Sequence, residues 1–310
     1  MPTIASFLAV IVIWSTTPIA ITISNQSFTP QFSVLARMSL AFILIAIFIA
    51  LFRKQSVLQL KNWRIYLMAG VGFFPTMTFI HQSTLYLSSG LVAVLFSLVP
   101  IFTGVMATFI LKETFFTINK IIAMLLSLSG FLIIFAQNMT FGDDTLKGIA
   151  CMFCANTLFS VSQVGVKYLS KEKQVDPFEQ TLGALVYAVP GFILSWYFID
   201  GNLPTTFLPQ SIWATVYLAS IGSIFVFSAY FYALKKLSVT VMSLIPLVQP
   251  LLTLWLGLVL LDELVTQEIL LGTVIIVLAL VIFDKNLFNS LLNFLQCNEL
   301  WRRDKKIKAS

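Results

Sequence analysis

Charged side chains are scarce. Asp, Glu, Lys and Arg make up 10% of the 310 residues, against about 25% in an ordinary soluble domain, too few to coat a water-exposed surface. Cysteine is scarcer still, and Cys151, Cys154 and Cys297 cannot frame a disulfide scaffold or a zinc site. Cys151 and Cys154 form a CxxC, but it lies in the apolar run GIACMFCANTLF with no charge beside it to stabilise a thiolate. They read as small packing residues. With His81 as the only histidine and no Asp or Glu in the middle of an apolar run, an intramembrane enzyme lacks its nucleophile, paired carboxylates or metal ligands. No metal or cofactor is expected. A phosphate-binding glycine loop is also missing, so any pumping must draw on a gradient rather than ATP. The first apolar run lacks a basic segment ahead of it, so no cleavable signal peptide is expected.

What the chain has is apolar length. Hydrophobic residues reach 58%, Phe alone numbers 29, and the mean hydropathy is +0.94. Runs near bilayer length fall at 3–23, 32–52, 65–86, 90–111, 119–136, 148–166, 179–199, 211–234, 239–261 and 268–284. They are continuously apolar rather than alternating, which predicts helices and not barrel strands. The expected fold class is therefore an all-α polytopic membrane protein with ten transmembrane helices. The connections are too short to hold a soluble nucleotide-binding domain.

Basic residues segregate along these connections. One side receives Arg53, Lys54, Lys61 and Arg64, then Lys112 and Lys120, then Lys167, Lys171 and Lys173, then Lys235, Lys236 and Lys285, and the other side only Lys147. By the positive-inside rule both termini are expected in the cytoplasm of a cell inner or plasma membrane. The net charge of +6 thus reports orientation, not a nucleic-acid partner. Beyond residue 284, Leu287, Phe288, Leu291, Leu292 and Leu295 recur at helical spacing ahead of RRDKKIK. That tail, 285–310, reads as an amphipathic basic segment on the inner leaflet.

The sequence also repeats itself. At an offset of 150 residues Pro100 matches Pro250, Glu113 matches Glu263, and Leu87-Ser88 matches Leu237-Ser238, while Pro30 and Pro177 open the second crossing of each half. The expected organisation is a first five-helix repeat over 1–137 and a second over 138–284. Because five is odd, the second unit enters the membrane from the opposite side. The halves form an inverted repeat, an arrangement suited to alternating access.

These residues carry a resemblance. IVIWSTTPIAI in the first crossing, the opening from Pro30 to Arg37 in the second, and the fourth and ninth segments ending in KE and DE resemble the drug/metabolite transporter superfamily, EamA-like family, over about 3–284. The resemblance implies a ten-helix carrier with a central cavity between crossings 1–4 and 6–9, crossings 5 and 10 lying more peripherally. It names no single substrate. The chain departs from the family pattern at Ser15, where a glycine is usual, and at Ala184, which gives Arg37 no basic counterpart.

Candidate substrate-binding residues are those polar or aromatic groups that fall at depth. Arg37 lies about two turns inside the second crossing, a costly position for a guanidinium unless it meets a cavity or a partner; it reads either as a contact for an anionic group or as a clamp on another helix. His81 lies at a similar depth and could carry a coupling proton or pack as a hydrogen-bonded core residue. Trp14, Thr17, Thr78, Ser97, Asn156, Ser160, Gln163, Tyr230 and Gln249 supply uncharged groups that can orient a small molecule, or bond between helices. Pro18, Pro75, Pro100, Pro190, Pro246 and Pro250 interrupt helices, and Pro18, Pro100, Pro246 and Pro250 read as hinges or gates, or as static bends. Glu113 and Glu263 end crossings on opposite faces, where a helix C-terminus disfavours a carboxylate, and read either as gate residues or as groups solvated at the membrane interface. Together these predict a secondary transporter of small organic metabolites, amino-acid-like or drug-like, with lipid and small-molecule partners. A non-transporting receptor or assembly scaffold is the alternative.

Overall fold

The computed structural model describes residues 3–52, 58–87, 92, 95–112, 114, 116–135, 144–260 and 267–283. Among these no strand occurs. The helices are α1 Thr3–Ser24, α2 Pro30–Phe52, α3 Trp63–Val71, α4 Thr76–Ser83, α5 Val99–Ile110, α6 Ile118–Phe135 and α7 Thr145–Leu169. They continue with α8 Pro177–Ile199, α9 Pro209–Ala219, α10 Val226–Lys236, α11 Val239–Met242, α12 Ile245–Leu260 and α13 Gln267–Phe283. A π-helical segment, Ser220–Phe225, joins α9 to α10. Thr3–Ser24, Pro30–Phe52, Thr145–Leu169, Pro177–Ile199 and Pro209–Lys236 are each long and apolar enough to cross a bilayer, and shorter apolar helices occur at Val99–Ile110, Ile118–Ile134, Val239–Thr253 and Leu270–Phe283.

Where the sequence suggests unbroken crossings, the structure interrupts several. The run 65–86 is split between α3 and α4, because Pro75 has no N–H to continue the ladder. The freed Val71 carbonyl is taken by Thr76 Oγ1 at 2.7 Å. The fourth crossing turns at Ser97-Leu98 before α5, and the ninth at Ser243-Leu244 before α12. Pro100 and Pro246 then occupy the first turns of α5 and α12, where a helix requires no N–H. These two prolines start helices rather than kink them, whereas Pro18 and Pro190 lie within the continuous α1 and α8.

Local capping fixes the ends. The Asp176 carboxylate accepts from the Phe178 and Glu179 amides at 2.9 and 3.3 Å, opening α8 with Pro177 in its first turn. At the close of α10, Lys167 Nζ donates to the carbonyls of Leu234, Lys235 and Leu237 at 2.8, 3.2 and 2.7 Å, neutralising the negative end of that helix.

Helix pairing defines the interior. α1 packs against α9, α10 and α12, while α7 packs against α3, α4 and α5. α2 lies along α8, α3 also reaches α8, and α9 reaches α2. α6 and α13 form the most intimate pair. In lipid, helix association depends on close packing rather than on apolar burial from water, and glycine permits that closeness here. A Cβ on Gly130 would lie 2.8 Å from the Gly272 carbonyl, and one on Gly272 would lie 2.6 Å from the Gly130 carbonyl. Phe73, Phe131, Phe192 and Phe227 are fully buried, while Phe109 and Phe198 are 78% and 79% exposed, the division expected between a packed interior and a lipid-facing surface.

Candidate substrate site

Ser15, Thr16 and Thr17 precede Pro18 in α1, and their hydroxyls bond back to the carbonyls of Ile11 and Ile13. Back-bonding of this kind satisfies hydroxyls inside an apolar helix, and Trp14 on the same stretch packs against the helices opposite. The Trp14 ring meets Tyr230 at 5.3 Å and Phe227 at 5.4 Å from α10, and Phe159 at 6.4 Å from α7. Phe159 closes the ring of contacts onto Tyr230 at 6.2 Å. Trp14 and Tyr230 are thus brought together by α1 and α10, with Phe159 and Phe227 as walls the sequence reading did not single out.

Polar groups converge beside this aromatic box. Thr103 Oγ1 donates to Gln163 Oε1 at 3.1 Å and is 3.0 Å from Ser160 Oγ, so α5 and α7 are joined through buried hydroxyls and an amide. Gln163 Nε2 and the Tyr230 hydroxyl are both buried and have no hydrogen-bond partner. The two side chains adjoin one another. Two turns earlier on α7, Asn156 Nδ2 donates to the Leu95 carbonyl at 2.7 Å, while its Oδ1 is unpartnered, as is Thr78 Oγ1 on α4. Buried polar atoms without partners are uncommon and costly. The Gln163 Nε2 and the Tyr230 hydroxyl beside the aromatic box make a site able to hold a solute by stacking and by uncharged hydrogen bonds.

The remaining expected residues lie elsewhere or play different parts. Arg37 is buried on α2; its Nε donates to Ser223 Oγ at 2.9 Å and its Nη2 to the Gly222 carbonyl at 2.7 Å. A π segment leaves carbonyls and hydroxyls outside the regular ladder, and Arg37 takes them, clamping α2 to the eighth crossing. His81 is buried near Arg37 and against the Pro30 carbonyl. Ser97 is buried at the turn before α5. Thr17 spends its hydroxyl on its own helix. Gln249 is half-buried, and its carbonyl accepts from Thr253 Oγ1 at 3.0 Å. Pro100 and Pro246 are buried. Pro250 belongs to α12, while Glu113 and Glu263 lie outside the described residues.

Two functional-looking features escaped the sequence reading. Thr253 Oγ1 also donates to the Ser15 carbonyl at 2.8 Å, tying α12 to α1 as Thr103 ties α5 to α7. Thr103 and Thr253 are separated by the same 150 positions as Pro100 and Pro250, a signal that was available. Glu179 is a buried carboxylate near the start of α8, accepting from the Tyr66 hydroxyl and, at 3.5 Å, from Asn62 Nδ2. It follows Asp176 by three positions, so it reads as an ordinary helix-start residue, which conceals its burial.

A model of the EamA-like transporter family matches residues 1–136 and again 146–283. The chain belongs to the EamA-like transporter family. This makes it a multi-pass integral membrane transporter rather than an enzyme. Among relatives, an uncharacterized transporter, YoaV, of Bacillus subtilis is 24% identical over 277 residues, covering 87% of this chain and 92% of its own. Protein PagO of Salmonella typhimurium is 27% identical over 254 residues, covering 79% and 81% respectively. A solved protein crystal structure aligns with a TM-score of 0.74 at 16% identity, covering 90% of this chain and 95% of that one, a likeness of fold.

Proposed function

We propose that this EamA-like protein is a secondary transporter of small organic metabolites, amino-acid-like or drug-like, that works by alternating access in a cell inner or plasma membrane. The observation that carries the reading is the aromatic box of Trp14, Phe159, Phe227 and Tyr230 with the unpartnered Gln163 Nε2 and Tyr230 hydroxyl beside it. Cargo supplies the missing partners. Release needs no charge separation, because the box presents no ionised group of its own.

The mechanism follows from a five-helix unit over 1–137 and an inverted copy over 138–284. Two separate family matches in one chain support it, and so does the pairing of helices. Exchanging each crossing for the one five later turns the contacts of α7 with α3, α4 and α5 into those of α1 with α9, α10 and α12, and it leaves the pairs α2–α8 and α6–α13 unchanged. Thr103 and Thr253, 150 positions apart, each bond across the two halves, Thr103 to side chains of α7 and Thr253 to a backbone carbonyl of α1. Rocking such halves opens a central site first to one side and then to the other. Arg37 and His81 bias charge toward the outer mouth, Pro100, Pro246 and Pro250 shape the moving segments, and both termini face the cytoplasm. The direction is export or exchange, with a pH gradient as one possible drive.

Uptake and efflux of a broad metabolite mixture in proteoliposomes, with and without a pH gradient, tests this. Faster movement of at least one solute than in protein-free vesicles is expected. No acceleration by either a gradient or a counter-substrate would overturn it.

A further inference from the structure

The end of the molecule where α3 begins and α5 and α7 end carries a groove of about 370 Å³ on the outer surface. Its walls are apolar: Leu67 and Met68 from α3, Ile110 from α5, and Val161 and Gly165 from α7. Gly165 keeps α3 and α7 close, since a Cβ there would lie 2.8 Å from Met68 Sδ. A lipid-facing cleft left empty forfeits the dispersion contacts of its lining, so an apolar chain belongs in it.

The rim differs from the walls. Trp63 and Tyr168 stand at the mouth, 46% and 47% exposed, the residues and setting of a membrane-interface belt. Arg64 lies over the Trp63 ring at 5.6 Å, which leaves its guanidinium edge free to donate. Lys173 Nζ donates to the Lys61 carbonyl at 2.5 Å, so the start of α3 and the segment after α7 adjoin. Lys61, Arg64, Lys112, Lys171 and Lys173 are all exposed here, and Glu172 is the exposed carboxylate among them in the described residues. An apolar slot under a basic, aromatic rim matches one amphiphile.

We infer that this groove binds an anionic phospholipid, its acyl chain lying between α3, α5 and α7 and its phosphate held by Arg64 with Lys61 and Lys171 nearby. The site is separate from the cargo box and does not depend on which solute is carried. It joins helices of the third, fourth and sixth crossings, three of the elements around the proposed cavity.

The full-length protein in mild detergent is offered phosphatidylglycerol and phosphatidylethanolamine of matched chains, and bound lipid is counted by native mass spectrometry. Wild-type protein retains phosphatidylglycerol in preference. Lys61→Glu with Arg64→Glu lowers that retention at least tenfold, since about 1 kcal/mol per basic group near a headgroup is about fivefold each. Ile110→Trp, on the half-open wall, fills the slot without changing charge and lowers retention of both lipids. Equal retention of the two lipids by wild type, no change in the charge-reversed protein, or no change in the filled protein each overturns the assignment. Monodisperse elution of every variant separates lost binding from lost folding.

Discussion

The Tyr230 hydroxyl and the Gln163 amide nitrogen are buried without partners, and a hydroxyl in that condition lowers stability rather than raising it. Tyr230→Phe should therefore leave thermal stability in detergent unchanged or slightly higher, within about 0.5 kcal/mol. If the hydroxyl serves cargo, the same change raises the KM for transport several-fold; an unchanged KM would remove Tyr230 from the site. Thr103→Val is the structural contrast. It deletes bonds to Gln163 and Ser160 and should destabilise by about 1–2 kcal/mol, measured in the same melts. Arg37 belongs with the structural residues in the conformation seen. Arg37→Lys replaces two nitrogens fixed in one plane, which reach Ser223 and Gly222 separately, by a single ammonium on a different stem, so both bonds lose geometry and a loss of about 2 kcal/mol is expected. An Arg37→Lys protein as stable as wild type would mean the clamp carries no weight. From sequence, Arg37 announced itself by its depth in an apolar run, but not which use it served. That depended on a π segment 183 or more positions away (Ser220 to Phe225), whose sequence SIGSIF carries no mark of the irregularity.

At the scale of elements, the legible features were those with a period or a composition. Apolar runs gave the crossings, and the proline register gave the match between α5 and α12. The breaks were less legible, because a proline reads equally as a kink within a helix or as the first turn of a new one, and only the fate of the neighbouring carbonyls decides. Pro75 shows this, with Thr76 filling the Val71 carbonyl. The α6–α13 contact was invisible for another reason: Gly130 and Gly272 are ordinary apolar-run glycines until their helices are superposed face to face. Each would place a Cβ within 2.8 Å of the other helix's backbone oxygen, and backbone cannot rotate away. Gly130→Ala should thus cost about 1–3 kcal/mol, whereas Leu125→Ala, at a site 62% exposed, should stay within about 0.5 kcal/mol. Thermal unfolding of the two variants side by side checks the difference. Similar melts would mean that α6 and α13 separate without penalty.

At the scale of the whole molecule, the proposed alternating access requires exchange between halves. Thr253 donates to a backbone carbonyl of α1, whereas Thr103 reaches side chains of α7; corresponding residues therefore occupy different bonding states in the same structure. Gln249 lies on α12 one turn before Thr253, half-buried, where access should change as the halves rock. Gln249→Cys, in a background with Cys151, Cys154 and Cys297 replaced by Ser, should be labelled by membrane-impermeant maleimide from either side of oriented vesicles. Addition of transported solute should shift the two labelling rates in opposite directions, because opening toward one face closes the other. A rigid scaffold predicts labelling that is constant and confined to one side or absent, and that result would remove alternating access while leaving the helix packing intact.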